Sequence, residues 1–243
     1  MYDRPETRDA WDAFWNLTRL SLGCDAPLSR NGDLWEQWRA PNLLLSQTCG
    51  LPYRAMLHSH VTLVGTPIYA DLACAPGHYF SVLISRRDDD RRRLEDFSTG
   101  CLAYNEDLSQ SGWAAPQSMT DAAGFAFSSI LKTGAHRASA IAVADRRADI
   151  AAIDALTWAH ISRWDDFAEN LHVICESDPT PALPFITSES QDATQIRIAL
   201  TEAFDMIDAD HASLLGMSGL ALVPKEEYLR IPLPRPPEKR QIS

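Results

Sequence analysis

The spacing of apolar and polar positions divides the chain into short segments, and the period within each separates helix from strand. Pro5 suits a first helical turn, Trp11, Phe14, Trp15 and Leu22 then share a face, and Gly23 offers a stop. A second short helix is predicted around Leu34, Trp35 and Trp38. Leu43-Leu44-Leu45 is an apolar run of strand length, ended by Ser46-Gln47-Thr48-Cys49-Gly50. A helical stretch to His58 and the run Val61-Thr62-Leu63-Val64 follow. Strand, polar loop, helix, strand is the order of an α/β unit with a parallel sheet.

The middle of the chain repeats that order. Strands are predicted at 79–85, 101–104, 130–131, 150–153 and 171–175, with helices at 111–123, 136–146 and 154–164 between them. Pro179, Pro181 and Pro184 then block helix, and residues 194–207 carry Ile196, Leu200, Phe204 and Ile207 on one helical face. Leu220-Ala221-Leu222-Val223 closes the apolar pattern, and four prolines follow Ile231. No internal repeat is visible. The expected fold is α/β and two-lobed, each lobe a mixed, mostly parallel sheet flanked by helices, with two hinge crossings. Lobe 1 takes 1–80 plus 185–230, lobe 2 takes 81–184, and 231–243 form a proline-rich surface tail.

Composition narrows the choice of partner. The 243 residues hold 22 Lys and Arg against 33 Asp and Glu, a formal net charge of −11. That balance argues against nucleic acid or an anionic membrane as the main partner, while leaving room for a small anion held by local donors. A 45% hydrophobic content excludes a disordered chain. No run of 18 apolar residues exists, so no membrane span is expected. The opening residues lack a basic n-region and an apolar h-region, which suggests either a cytoplasmic protein or a processed form. Cys24, Cys49, Cys74, Cys101 and Cys175 contain no C-x-x-C, so buried, reduced thiols are expected, with a single disulfide open in an oxidising compartment. The charge run at 86–93 reads either as a phosphate patch or, preferably, as a solvated turn with compensating charges.

The candidate chemistry lies after three predicted strands. Ser109-Gln110-Ser111-Gly112 enters a helix, so two hydroxyls, first-turn amides and a positive helix end converge there. An ordinary serine cap would look the same. However, Thr133-Gly134-Ala135-His136 also enters a helix after a strand, and Asp154 ends the next one. Three polar sites on one rim of a sheet favour a binding site over three unrelated caps.

These residues carry a resemblance. The order Gly77-His78-Tyr79-Phe80-Ser81, Ser109-Gln110-Ser111-Gly112 with Pro116, Gly134-Ala135-His136, and Ala148-Asp149-Ile150-Ala151 resembles the phosphonate/phosphite/phosphate-type substrate-binding proteins of ABC transporters over roughly residues 40–230. The resemblance implies the type 2 periplasmic-binding-protein fold, periplasmic location, and a small anionic or zwitterionic ligand held in an interlobe cleft by hinge closure. Ser109, Gln110 and Ser111 would cradle the oxyanion, His136 and Tyr79 would add donors, and Gln47 and Thr48 would face it from the other lobe. Asp154 falls where the family places an acid for a ligand's amino group. Where the family usually has Thr in the serine loop, this chain has Gln110. An ABC permease is the implied partner, with no cofactor and no metal.

Rival readings are weaker. Ser111, His136 and Asp154 could form a hydrolase triad, but Gly-x-Ser-x-Gly is absent and the chain order differs. Ser129-x-x-Lys132 and Lys132-Thr133-Gly134 mimic two β-lactamase motifs while sharing one lysine. His58-Ser59-His60 lacks a third metal ligand nearby. The main alternative is a cytoplasmic enzyme on the same fold, resembling the dehydratase of the alternative menaquinone route. It would act on a chorismate-like acid with Asp154 as base.

Overall fold

A computed structural model describes residues 2–237. The chain divides into two compact units, Met1–His78 with Pro181–Ile231, and Tyr79–Thr180 with Pro232–Ser243. Residues 238–243 of the proposed tail lie outside the described part.

In chain order, the first unit opens with helices α1 (Arg8–Ser21) and α2 (Leu34–Trp38). Strand β1 (Ser46–Gln47), α3 (Gly50–Pro52) continued by a wider π turn (Tyr53–Leu57), and β2 (Val61–Tyr69) follow. The chain passes through β3 (His78–Tyr79) into the second unit: β4 (Ser81–Arg86), β5 (Cys101–Tyr104), a π turn (Gln110–Ala114) leading into α4 (Ala115–Ala123), and β6 (Ser129–Lys132). Next come α5 (His136–Ala144), β7 (Ile150–Asp154), α6 (Ala155–Trp164) and β8 (Leu171–Glu176). The return runs through β9 (Thr180–Pro181), β10 (Phe185–Ser188), α7 (Ala193–Met206), α8 (Ala209–Leu215), β11 (Met217–Ala221) and α9 (Lys225–Leu229).

In the first unit the sheet order is β1-β10-β2-β11, and every pairing is antiparallel. Phe14 of α1 meets Phe204 of α7 with ring centroids 4.6 Å apart, tying the opening helix to this unit. Trp38, Tyr53, Leu57, Val61, Ile186, Val223 and Tyr228 form a core cluster. Apolar burial pushes the Tyr53 phenol up to about 12.

The second unit has the order β6-β5-β7-β4-β8. Strands β6, β5 and β7 run parallel, whereas β4 is antiparallel to β7 and β8. Alternate side chains of β4 enter two cores, Val82 and Ile84 with Ala140, Val143 and Ile161, and Leu83 with Phe97, Leu102 and Trp113. Burial on both faces explains why its sequence is a continuous apolar run.

Two expectations need correction and one choice is settled. The sheets are mixed as expected but not mostly parallel, because antiparallel neighbours supply all of the first sheet and half the pairings of the second. Leu43-Leu44-Leu45 precedes the strand instead of forming it. The carbonyls of Leu43 and Leu44 accept from the Thr187 hydroxyl at 3.1 and 2.6 Å, and pairing begins at Ser46. The charge run is the compensated turn preferred over a phosphate patch: Asp89 joins Arg86 and Arg91, Asp149 joins Arg91, and Asp88 pairs with Arg146.

Candidate functional site

Because β5, β6 and β7 are parallel neighbours, the loops after them leave the same edge of the second unit's sheet. After β5 the chain reaches Ser109 in extended conformation. Its hydroxyl accepts the Gly112 amide at 2.9 Å, and its carbonyl accepts the amides of Trp113 and Ala114 at 3.2 and 3.0 Å. The bond from Ala114 spans five residues and makes this turn a π turn, a local widening that recurs at functional sites. The Ser109 hydroxyl keeps its own proton to donate.

Gly112 has no Cβ, and the space a Cβ would occupy is filled by the carboxamide oxygen of Asn105, with His136 Cε1 only 3.2 Å away. Close approach therefore demands glycine here. Asn105 was not among the residues singled out from the sequence. Its signal is positional, as the first residue after β5, and its meaning depends on the turn folding back over it.

The loop after β6 is tied to the loop after β5. Thr133 and Gly134 donate their amides to the carbonyls of Tyr104 and Asn105 at 2.9 and 3.0 Å. Gly134 turns with φ +85°, a left-handed conformation that glycine adopts without a Cβ clash. The chain then enters α5 with His136 as its first residue.

His136 Nε2 lies 2.9 Å from Ser111 Oγ and 3.5 Å from Asp154 Oδ2. Asp154 Oδ1 accepts the Thr157 amide at 2.9 Å and so caps α6. All three side chains are buried, Asp154 completely. Burial lowers the His136 pKa below its ordinary value, opposed by the Asp154 charge, so the ring is neutral near pH 7. The Ala152 carbonyl also contacts the ring, and the direction of the Ser111–His136 hydrogen bond follows from which nitrogen carries the proton. A hydrolase triad needs the base to face the serine with one ring nitrogen and the acid with the other. Here serine and acid meet the same nitrogen.

Direct contacts therefore join Ser111, His136 and Asp154, with Ser109 anchoring the turn. Gln110 and Tyr79 are buried in the same unit. Gln47 and Thr48 belong to the first unit. There Gln47 Nε2 donates to the Leu183 carbonyl at 3.1 Å, and the Thr48 amide to that of Pro184 at 3.1 Å. Among the described residues no group of three or more His, Cys, Asp or Glu could hold a metal ion.

Two α/β units exchanging the chain, with polar helix starts gathered at the ends of parallel strands, define a type 2 periplasmic binding protein. The family model for the periplasmic substrate-binding protein of phosphonate ABC transporters matches residues 44–227, and the chain belongs to that family. It is a solute-binding protein of ABC transport, and the family does not favour the alternative lyase. No curated protein sequence matches the chain.

Solved structures share the fold. A binding-protein component of an ABC phosphonate transporter from Pseudomonas aeruginosa superposes with TM-score 0.71 at 17% identity, covering 92% of this chain and 79% of that one. PhnD1 from Prochlorococcus marinus, solved with methylphosphonate, gives TM-score 0.69 at 13% identity over 91% and 90% of the two chains. A Xanthomonas citri protein bound to ATP gives 0.67 at 14% identity over 93% and 90%.

Proposed function

We propose that the turn at Ser109, Gln110 and Ser111 cradles a small phosphonate- or phosphate-like anion for delivery to an ABC permease in the periplasm. His136 and Tyr79 supply further polar contacts. The observation that carries this reading is the meeting of buried Ser111, His136 and Asp154 where the loops after three parallel strands converge on the start of a helix. Hydroxyl and amide donors suit an oxyanion, and charge-assisted hydrogen bonds are stronger than neutral ones. Asp154 would repel a dianion, which favours a singly protonated or zwitterionic ligand. Gln47 and Thr48 are kept as proposed ligand contacts, to be tested by substitution to alanine.

Calorimetric titration with methylphosphonate and with inorganic phosphate tests the cradle. Ser111→Ala is expected to weaken binding by about 1–3 kcal/mol. An unchanged dissociation constant would overturn it. Native mass spectrometry of the purified protein would report the mass of any retained ligand.

A further inference from the structure

Beyond α9 the chain reads Pro232-Leu233-Pro234-Arg235-Pro236-Pro237, outside the span matched by the family. Four prolines in six residues fix φ near −65° and exclude helix. Ile231, Pro234 and Pro237 are half-buried, while Pro232, Leu233, Arg235 and Pro236 are exposed. A burial period of three is that of a polyproline II helix lying with one edge against a surface.

The surface is the helix that continues from the cradle. The Trp113 indole N–H donates to the Arg235 carbonyl at 2.8 Å, and the Arg235 guanidinium pairs with Asp121. Trp113 and Asp121 are eight residues apart along the π turn and α4, close to two turns, so they present on neighbouring parts of one face. The Trp113 ring packs 4.8 Å from that of Tyr104 at the end of β5. An aromatic N–H to a backbone carbonyl beside an acid for a flanking arginine is the chemistry by which proteins recognise proline-rich segments, because the preformed helix loses little entropy on docking.

We propose that residues 232–237 are a polyproline strap, recognised in cis by Trp113 and Asp121, that holds the turn Gln110–Ala114 in the shape the cradle needs. Trp113 is a positioning residue adjoining Gly112, and the three amides bonded to Ser109 belong to the same turn. The effect on binding rests on the anion-cradle reading; the docking of the strap does not.

Two variants of the full chain test it. P234G/P236G/P237G keeps the Arg235 carbonyl but removes the preformed conformation, and Arg235→Glu sets a like charge against Asp121. Each should speed hydrogen exchange at the Gly112, Trp113 and Ala114 amides by about two- to five-fold, the range expected of an exposed ion pair, and leave the amides of α5 unchanged. Methylphosphonate affinity should fall by a similar factor, and D121R/R235E should restore both. Unchanged exchange in both variants would overturn the strap. Faster exchange with unchanged methylphosphonate affinity would overturn its positioning role. If the unmodified protein binds neither methylphosphonate nor phosphate, the cradle reading fails, and the exchange comparison alone decides whether the strap docks.

Discussion

Ser109 satisfies three amides with two oxygens, while the Ser111 hydroxyl pairs with His136. Ser111 depends in turn on a histidine whose charge state is set by burial. The sign of the pH response follows. With its folded pKa below the unfolded value, His136 takes up protons more readily when the chain unfolds. Stability is then full above about pH 6.5 and is lost as pH falls from there toward the depressed folded value. Denaturant titrations between pH 7.5 and 5, scales set by that unfolded value, should show this loss in the unmodified protein and a flatter profile in His136→Gln. Equal slopes would remove His136 as its source. The helix starts at the serine loop and at His136 were legible because small polar residues and glycine before an apolar stretch announce a helix entry. Asn105 was not, because it matters only through the space beside Gly112, which exists once two loops have folded together.

Among the elements, legibility followed length and locality. β4, β5 and β7 are apolar runs between polar loops and could be read directly. β10 was missed: it has four residues, lies just beyond Pro181 and Pro184, and pairs with strands more than a hundred positions earlier. Helices α8 and α9 were missed for want of length. The turn after β4 carries a prediction of its own. Hydrogen bonds from Arg91 hold the Asp89 carboxyl down at about 2. A depressed carboxylate pKa stabilises the fold above the unfolded value, near 3.8, and the contribution disappears as pH falls through about 2. Asp89→Asn should therefore cost about 1–2 kcal/mol at neutral pH, discounted for the partly exposed partner, and nearly nothing in strong acid. Chemical denaturation at the two pH values measures the difference; a cost that persists in acid would assign it to packing.

At the scale of the whole molecule, the charge of −11 and the proposed anion site pull in opposite directions. The proposed cradle would use hydroxyls, amides and a neutral ring, so nothing in it would offset the long-range repulsion of an acidic surface. Association with methylphosphonate should quicken as ionic strength rises from about 0.01 to 0.15 M, where the screening length shrinks from about 30 to 8 Å. Stopped-flow rates that fall with salt would reveal a cationic patch steering the ligand. The exchange of chain between units also bears on synthesis. β2 finds both its neighbours, β10 and β11, only after the whole stretch Tyr79–Thr180 has been made. During translation the second unit's sheet is complete while the first still lacks two of its four strands. The emerging chain is therefore expected to hold a finished inner sheet beside unpaired β1 and β2, and these strands need protection from aggregation until the ribosome has passed β10 and β11.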